Sequence, residues 1–195
     1  MMTRGASVVT PQRFAQGLTY QEFLSQAKVN VDQFNRWYQE FQLKPQDAAF
    51  FRKAAQAGAS RVLVLGEDWC PDACRGLPVV AHIAEAAGIE LRVFPRDANL
   101  DIMDEFLNQG QFRSIPAVVF YTDKQDYLCH WVERPKVANE ELTRIEAEVK
   151  QEIAGASEQD QRAEIRKRTT ARYAAWQRAT VQELKELLAA CLKLR

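Results

Sequence analysis

The sequence predicts an α/β fold, a β-α-β-α-β-β core set between N-terminal and C-terminal helical extensions. Three observations predict it. Short apolar runs of strand type, RVLVLG at 61–66, IELRVF at 89–94 and IPAVVFY at 115–121, stand in the middle of the chain. Segments of helical period separate them and stop near Gly88 and Gly110. Both ends of the chain carry helical periodicity without strand signals. The division expected is therefore 1–58 as an N-terminal helical extension, 59–135 as the core, and 136–195 as C-terminal helices packing on it.

Along the first part, Thr19 and Glu22 have the spacing of a capping box that opens a helix. Phe34, Trp37, Tyr38 and Phe41 recur at helical spacing and give a second helix an aromatic face for core or docking. Pro45 suits the first turn of a third helix, Gln46 to Gln56, which ends at Gly58.

In the core, Arg61 to Gly66 is a strand buried on both faces, and Pro71 to Ala87 is a helix stopped by Gly88. Ile89 to Phe94 is the second strand, Leu100 to Asn108 a helix, and Ile115 to Tyr121 the third strand. TDKQD at 122–126 is a turn before a fourth strand, Tyr127 to Glu133. Two strands joined by a helix imply a parallel pair with a right-handed crossover, and the last two an antiparallel hairpin.

After Arg134-Pro135, Leu142, Ile145, Val149 and Ile153 form one apolar stripe. Ser157 is expected to cap a long helix, and Thr180 with Glu183 a last one. Val181, Leu184, Leu188 and Cys191 make a short seam that packs on the domain itself or, alternatively, supports a homodimer.

Composition narrows the function. Twenty-six Lys and Arg balance 26 Asp and Glu, which argues against nucleic acid, since phosphate binding needs surplus cations. Arg162, Arg166, Lys167, Arg168 and Arg172 form a basic stretch read as a solvated helix face. No apolar run approaches 18 residues, so no membrane partner is expected. MMTRGASVVTPQRF lacks the apolar stretch of a signal peptide, making a cytoplasmic address the expectation. Four cysteines are too few for a disulfide scaffold.

One pair of cysteines stands out, in Glu67-Asp68-Trp69-Cys70-Pro71-Asp72-Ala73-Cys74. A strand runs into a cysteine that opens a helix, where unpaired N–H groups and the helix dipole stabilise a thiolate. That lowers the thiol pKa and makes Cys70 a nucleophile near neutral pH. Pro71 fits the first helical position. Glu67, Asp68 and Asp72 act against the thiolate and Arg75 favours it, leaving the net direction open. Cys129, in mid-strand, and Cys191, on a helix face, read as packing residues.

Here the chain resembles the thioredoxin-like superfamily, and most closely its bacterial "thioredoxin family protein" branch with helical flanks. Trp69-Cys70 at the end of a strand, a second cysteine within a helical turn, the element order, and Ser114-Ile115-Pro116 opening the third strand carry the resemblance. It covers about Ala59 to Pro135, with the flanks extending it. It implies a thiol–disulfide oxidoreductase with Cys70 as nucleophile and Cys74 as resolving cysteine. It also implies that Trp69 shields the sulfur, and that Ile115 and a cis Pro116 face Cys70 and present backbone to the substrate. Pro71 and Asp72 shape the site. Protein or small-molecule thiols and disulfides are the implied partners. Electrons would come from a thioredoxin reductase or from glutathione, with no bound cofactor.

One departure matters. Three residues separate the cysteines where thioredoxins have two, so by strict alignment Ala73 holds the resolving position. Residues i and i+4 of a helix lie about 6 Å apart at Cα, inside the roughly 4.4–6.8 Å disulfide window. A Cys70–Cys74 bond would distort the first turn and be easier to reduce. Three other readings stay open: an interaction module that has lost efficient turnover, a Cys70-only enzyme using glutathione, and a copper binder. The last rests on the C-x-x-x-C spacing, which resembles Sco-type copper-delivery proteins, with His130 as distal ligand. With two histidines in the chain, no metal ligand is assigned.

Overall fold

The computed structural model describes residues 7–194. Among these residues, four helices precede the sheet: α1 (Pro11–Ala15), α2 (Tyr20–Gln26), α3 (Val31–Glu40) and α4 (Pro45–Gln56). The core follows as β1 (Arg61–Gly66), α5 (Pro71–Ala87), β2 (Glu90–Pro95), α6 (Leu100–Met103), β3 (Ala117–Tyr121) and β4 (Tyr127–Val132). Two long helices, α7 (Lys136–Glu152) and α8 (Glu158–Leu192), complete the chain. This is the α/β architecture with helical flanks expected from the sequence.

The strands run in the order β2-β1-β3-β4. β1 is parallel to β2 and antiparallel to β3, and β3 is antiparallel to β4. The central pair, β1 and β3, is buried almost end to end, which is why those segments read as unbroken apolar runs. The edge strand β4 alternates instead and turns Cys129 and Trp131 inward. On the other edge, Leu18 exchanges two backbone hydrogen bonds with Val93, at 2.9 and 2.7 Å, and so covers part of β2. Gly17 permits that approach, since a Cβ there would fall 2.4 Å from the Phe94 ring.

Local signals set the helix starts. The Thr19 hydroxyl accepts from the Glu22 N–H while the Glu22 carboxylate accepts from the Thr19 N–H, the reciprocal cap read in the sequence. Pro45 and Pro71 occupy first-turn positions of α4 and α5. Helix α5 lies on β1 and β2, with α3, α4 and α8 packed on its other faces, and α8 also crosses β4. Of the predicted aromatic face, Phe34 and Phe41 enter the main core. Trp37 joins Ala138, Tyr173 and Trp176 in a second cluster between α3, α7 and α8.

Three expectations are corrected. The helix predicted over 100–108 is a single turn, α6. Beyond it, positive φ at Gln109 and Gly110 folds the chain back so that Asn108 and Phe112 form a bridge. Thr180 caps nothing: α8 runs straight through it, and its hydroxyl donates to the Trp176 carbonyl at 3.0 Å. The expected partner, Glu183, instead accepts from Trp131 Nε1 and the Lys136 N–H. Ser157 does cap this helix, accepting from the Asp160 N–H. Finally, β3 begins at Ala117 and not at Ile115, because Pro116 has no N–H for the ladder.

The C-terminal seam faces the protein's own core at Val181, Leu184 and Leu188, whereas Cys191 is exposed. The basic stretch is not a solvated face throughout. Arg168 pairs with Glu148 and Glu152, and Arg172 with Glu141, tying α7 to α8. Arg172 and the Trp176 indole hold the Glu141 carboxyl down at about 2.

Candidate active site

The loop after β1 delivers Cys70 to the N-cap of α5, with extended backbone and Pro71 next in the first turn. Its thiol donates to the Ile115 carbonyl at 3.6 Å. The following Ile115–Pro116 peptide bond is cis. Pro116 packs toward α5 closely enough that a Cβ on Gly76 would meet its ring at 3.3 Å. The sheet and helix together thus bring Cys70, Ile115 and Pro116 to one place.

Cys74 sits one turn into α5. Its N–H bonds the Cys70 carbonyl at 3.0 Å, so the first turn is regular and the two Cα atoms keep the roughly 6 Å separation of an i, i+4 pair. Its thiol donates elsewhere, to the Asp68 carbonyl at 3.7 Å. Both thiols are free and buried, at 6% and 1% exposure.

Burial reverses the direction of acidity expected at a helix N-terminus. It raises the Cys70 pKa above the ordinary thiol value, and the Asp72 charge adds to the rise. The N–H groups of Ala73 and Asp72 and the Arg75 charge oppose it without prevailing. For Cys74, burial, then Cys70 and Asp68, push the thiol up to about 12. The net direction, left open by the sequence, is therefore upward, with burial outweighing the helix N-terminus.

The other site residues are fixed by partners that sequence spacing did not reveal. Trp69 is half exposed, with the Arg96 guanidinium 5.2 Å from its ring centre. The Asp68 carboxylate accepts the N–H groups of Lys28 and Val29, and Asn30 Nδ2 donates to the Asp68 carbonyl, so the α2–α3 connection is fastened to the cysteine loop. Glu67 accepts the Asp97 N–H at 2.7 Å. Asp72 pairs with Arg75 through one carboxylate oxygen and with Arg134, at 2.7 Å, through the other. Arg75 is 1% exposed, and its guanidinium lies 5.2 Å from the Tyr173 ring and 5.1 Å from Trp176.

His130 does not join the cysteines. Its Nδ1 is 2.6 Å from the Tyr127 hydroxyl, beside Phe106 on β4. Among the described residues no group of three or more His, Cys, Asp or Glu side chains could hold a metal ion. Nor is any described helix long and apolar enough to cross a membrane.

Arg134 is the residue that sequence reasoning missed. It stands in Arg134-Pro135, which reads as a boundary, and only folding brings it beside Asp72.

Solved structures share the overall fold. A crystal structure of a protein of unknown function from Pseudomonas aeruginosa matches with a TM-score of 0.64 at 16% identity, covering 93% of this chain and 98% of that one. An HIV epitope-scaffold matches with a TM-score of 0.66 at 17% identity, covering 95% and 99%. These likenesses concern the fold alone. No curated protein matches the sequence. The family model described as thioredoxin matches residues 17–150, well over half of the chain. With its strand order and cysteine-capped helix, the chain belongs to the thioredoxin family.

Proposed function

We propose that the protein is a thiol–disulfide oxidoreductase. The observation that carries this reading is the placement of Cys70 at the N-cap of α5, against the Ile115–Pro116 loop, with a second thiol one helical turn away. Cys70, as thiolate, attacks one sulfur of a substrate disulfide and forms a mixed disulfide, and the other substrate sulfur leaves as a thiol after taking a proton. Cys74, deprotonated, then attacks Cys70 Sγ and expels the second substrate thiol. The substrate gains two electrons and the protein retains a Cys70–Cys74 disulfide. A reductase or a small thiol such as glutathione returns the electrons in a separate exchange.

In this reading Trp69 flanks the approach to the pair, while Pro71 and Asp72 hold the first turn of α5. Ile115 and Pro116 supply the backbone beside the attacking sulfur. Insulin reduction with dithiothreitol as electron donor tests it. The wild type is expected to accelerate precipitation of the insulin B chain, and Cys70→Ser to abolish the acceleration. Cys74→Ser is expected to accumulate a mixed disulfide on Cys70, visible by mass.

One observation favours a second reading, an interaction module with the fold but little turnover: both thiols are buried and resist ionisation. Absence of activity in the wild type, with the thiols intact, would select that reading.

A further inference from the structure

Behind the cysteine loop, α7 and the first half of α8 close over the start of α5 and leave a cavity of about 530 Å³. That volume suits a small organic ligand. Its walls combine apolar and cationic groups. Trp69 and Pro71 form the edge at the cysteine loop, Leu142 and Ile165 face it from α7 and α8, and the Cys74 residue is part of the wall. Four arginines line it, Arg75, Arg134, Arg162 and Arg166, against two carboxylates, Asp72 and Glu146.

The cations are incompletely matched. Asp72 serves both Arg75 and Arg134, so one carboxylate is shared between two guanidinium groups. Arg134 also pairs with Glu133, and Arg162 with Glu158. Arg166 forms no ion pair among the described residues. Arg75 is 1% exposed, yet its Nε has no hydrogen-bond partner, and the Arg134 Nε is likewise buried and unpartnered. Both Nε atoms lie behind the wall, so the cationic surplus that a ligand can meet is that of Arg134 and of the exposed Arg166, unpaired among the described residues. Arginine forks suit an oxyanion, and the aromatic and aliphatic walls suit a flat apolar body attached to it.

We infer that this cavity is a binding site for a small organic anion, a carboxylate carried on a flat apolar group, held by Arg134 and Arg166, with the buried Arg75 adding positive charge behind the wall. Cys70 does not line the cavity, although Trp69, Pro71, Asp72 and Cys74 belong to both sites, and the inference does not depend on the redox reading. It also gives the helical flanks a role, since α7 and α8 supply most of its lining.

Calorimetric titration of the full chain tests this with three probes: indole-3-acetate, its neutral counterpart indole-3-acetamide, and inorganic phosphate. Indole-3-acetate is expected to bind, the amide at least tenfold more weakly, and phosphate, lacking the apolar body, more weakly than indole-3-acetate. Arg166→Ala should weaken indole-3-acetate at least fivefold with little change in melting temperature, because the Arg166 side chain is exposed and forms no ion pair among the described residues. Arg166→Lys should retain more of the affinity than Arg166→Ala. Four results would overturn the inference: no binding of indole-3-acetate, equal binding of the amide, binding of phosphate alone, or affinity indifferent to Arg166→Ala in a folded protein.

Discussion

Replacing Asp72 with alanine is expected to destabilise the fold by about 3–5 kcal/mol, the usual cost of breaking a buried pair from one side. The side chains of Asp72 and Arg75 are 14% and 2% exposed, and Asp72 is the carboxylate that Arg75 pairs with. Its loss strands a guanidinium that is almost wholly buried and whose Nε is already without a partner. The Tyr173 and Trp176 rings attract the cation but cannot accept its remaining N–H bonds in a carboxylate's geometry. Arg134 loses a partner too, though it keeps Glu133. The double variant Asp72→Ala, Arg75→Met should recover much of the loss, since replacing a buried pair by apolar volume is often close to neutral. Denaturant midpoints at constant slope measure both. A loss below about 1 kcal/mol for Asp72→Ala, the size of an exposed pair, would mean that Arg75 is solvated.

The second large effect concerns pH. Alkylation of Cys70 by iodoacetamide is expected to accelerate about tenfold per pH unit from 7 to 9, roughly a hundredfold in all, because the thiolate is the reacting species. Desolvation, reinforced by Asp72, puts the Cys70 pKa above the ordinary value of 9.0, so ionisation stays incomplete throughout that range. Sign and window follow together: a raised thiol pKa makes the group less reactive below it, and the rate climbs without levelling as pH rises toward it. Cys74, at about 12, contributes little. Cys191 is exposed, so the modified peptide must be mapped rather than total thiol loss recorded. A plateau below pH 8 would contradict the burial argument and restore the helix dipole as the dominant influence.

Much of the fold was legible because it rests on local signals. β1 and β3 are buried almost throughout, so their apolar runs needed no partner to be recognised. Thr19 with Glu22 announces a helix start through bonds made within one turn, and Pro71 announces another through its fixed φ and the N–H it lacks. The errors came where distant groups competed for the same side chain. Glu183 looked like the partner of Thr180, yet Trp131 and Lys136, about 50 residues earlier, claim its carboxylate. The predicted helix after Leu100 gave way to a turn because Asn108 bonds Phe112, Ser114 and Glu133.

The candidate site divides in the same way. The Cys70 thiol meets the Ile115 carbonyl beside Pro116, a proximity that only the family resemblance implied and that no local signal encodes. The acidity of Cys70 was not readable, because burial is a property of the assembled core while the dipole is a property of one helix. Arg134 likewise meets Asp72 only after the sheet and α5 have packed, and no spacing in the sequence encodes that meeting.

The central claim is that Cys70 and Cys74 form one dithiol centre despite three intervening residues. Equilibrating the protein in glutathione buffers of graded potential, trapping the thiols, and mapping each cysteine by peptide mass tests it most directly. The account predicts a reversible Cys70–Cys74 disulfide with a single two-electron midpoint. Failure of the two to link at any potential, including the case in which Cys70 alone takes up glutathione, would contradict it.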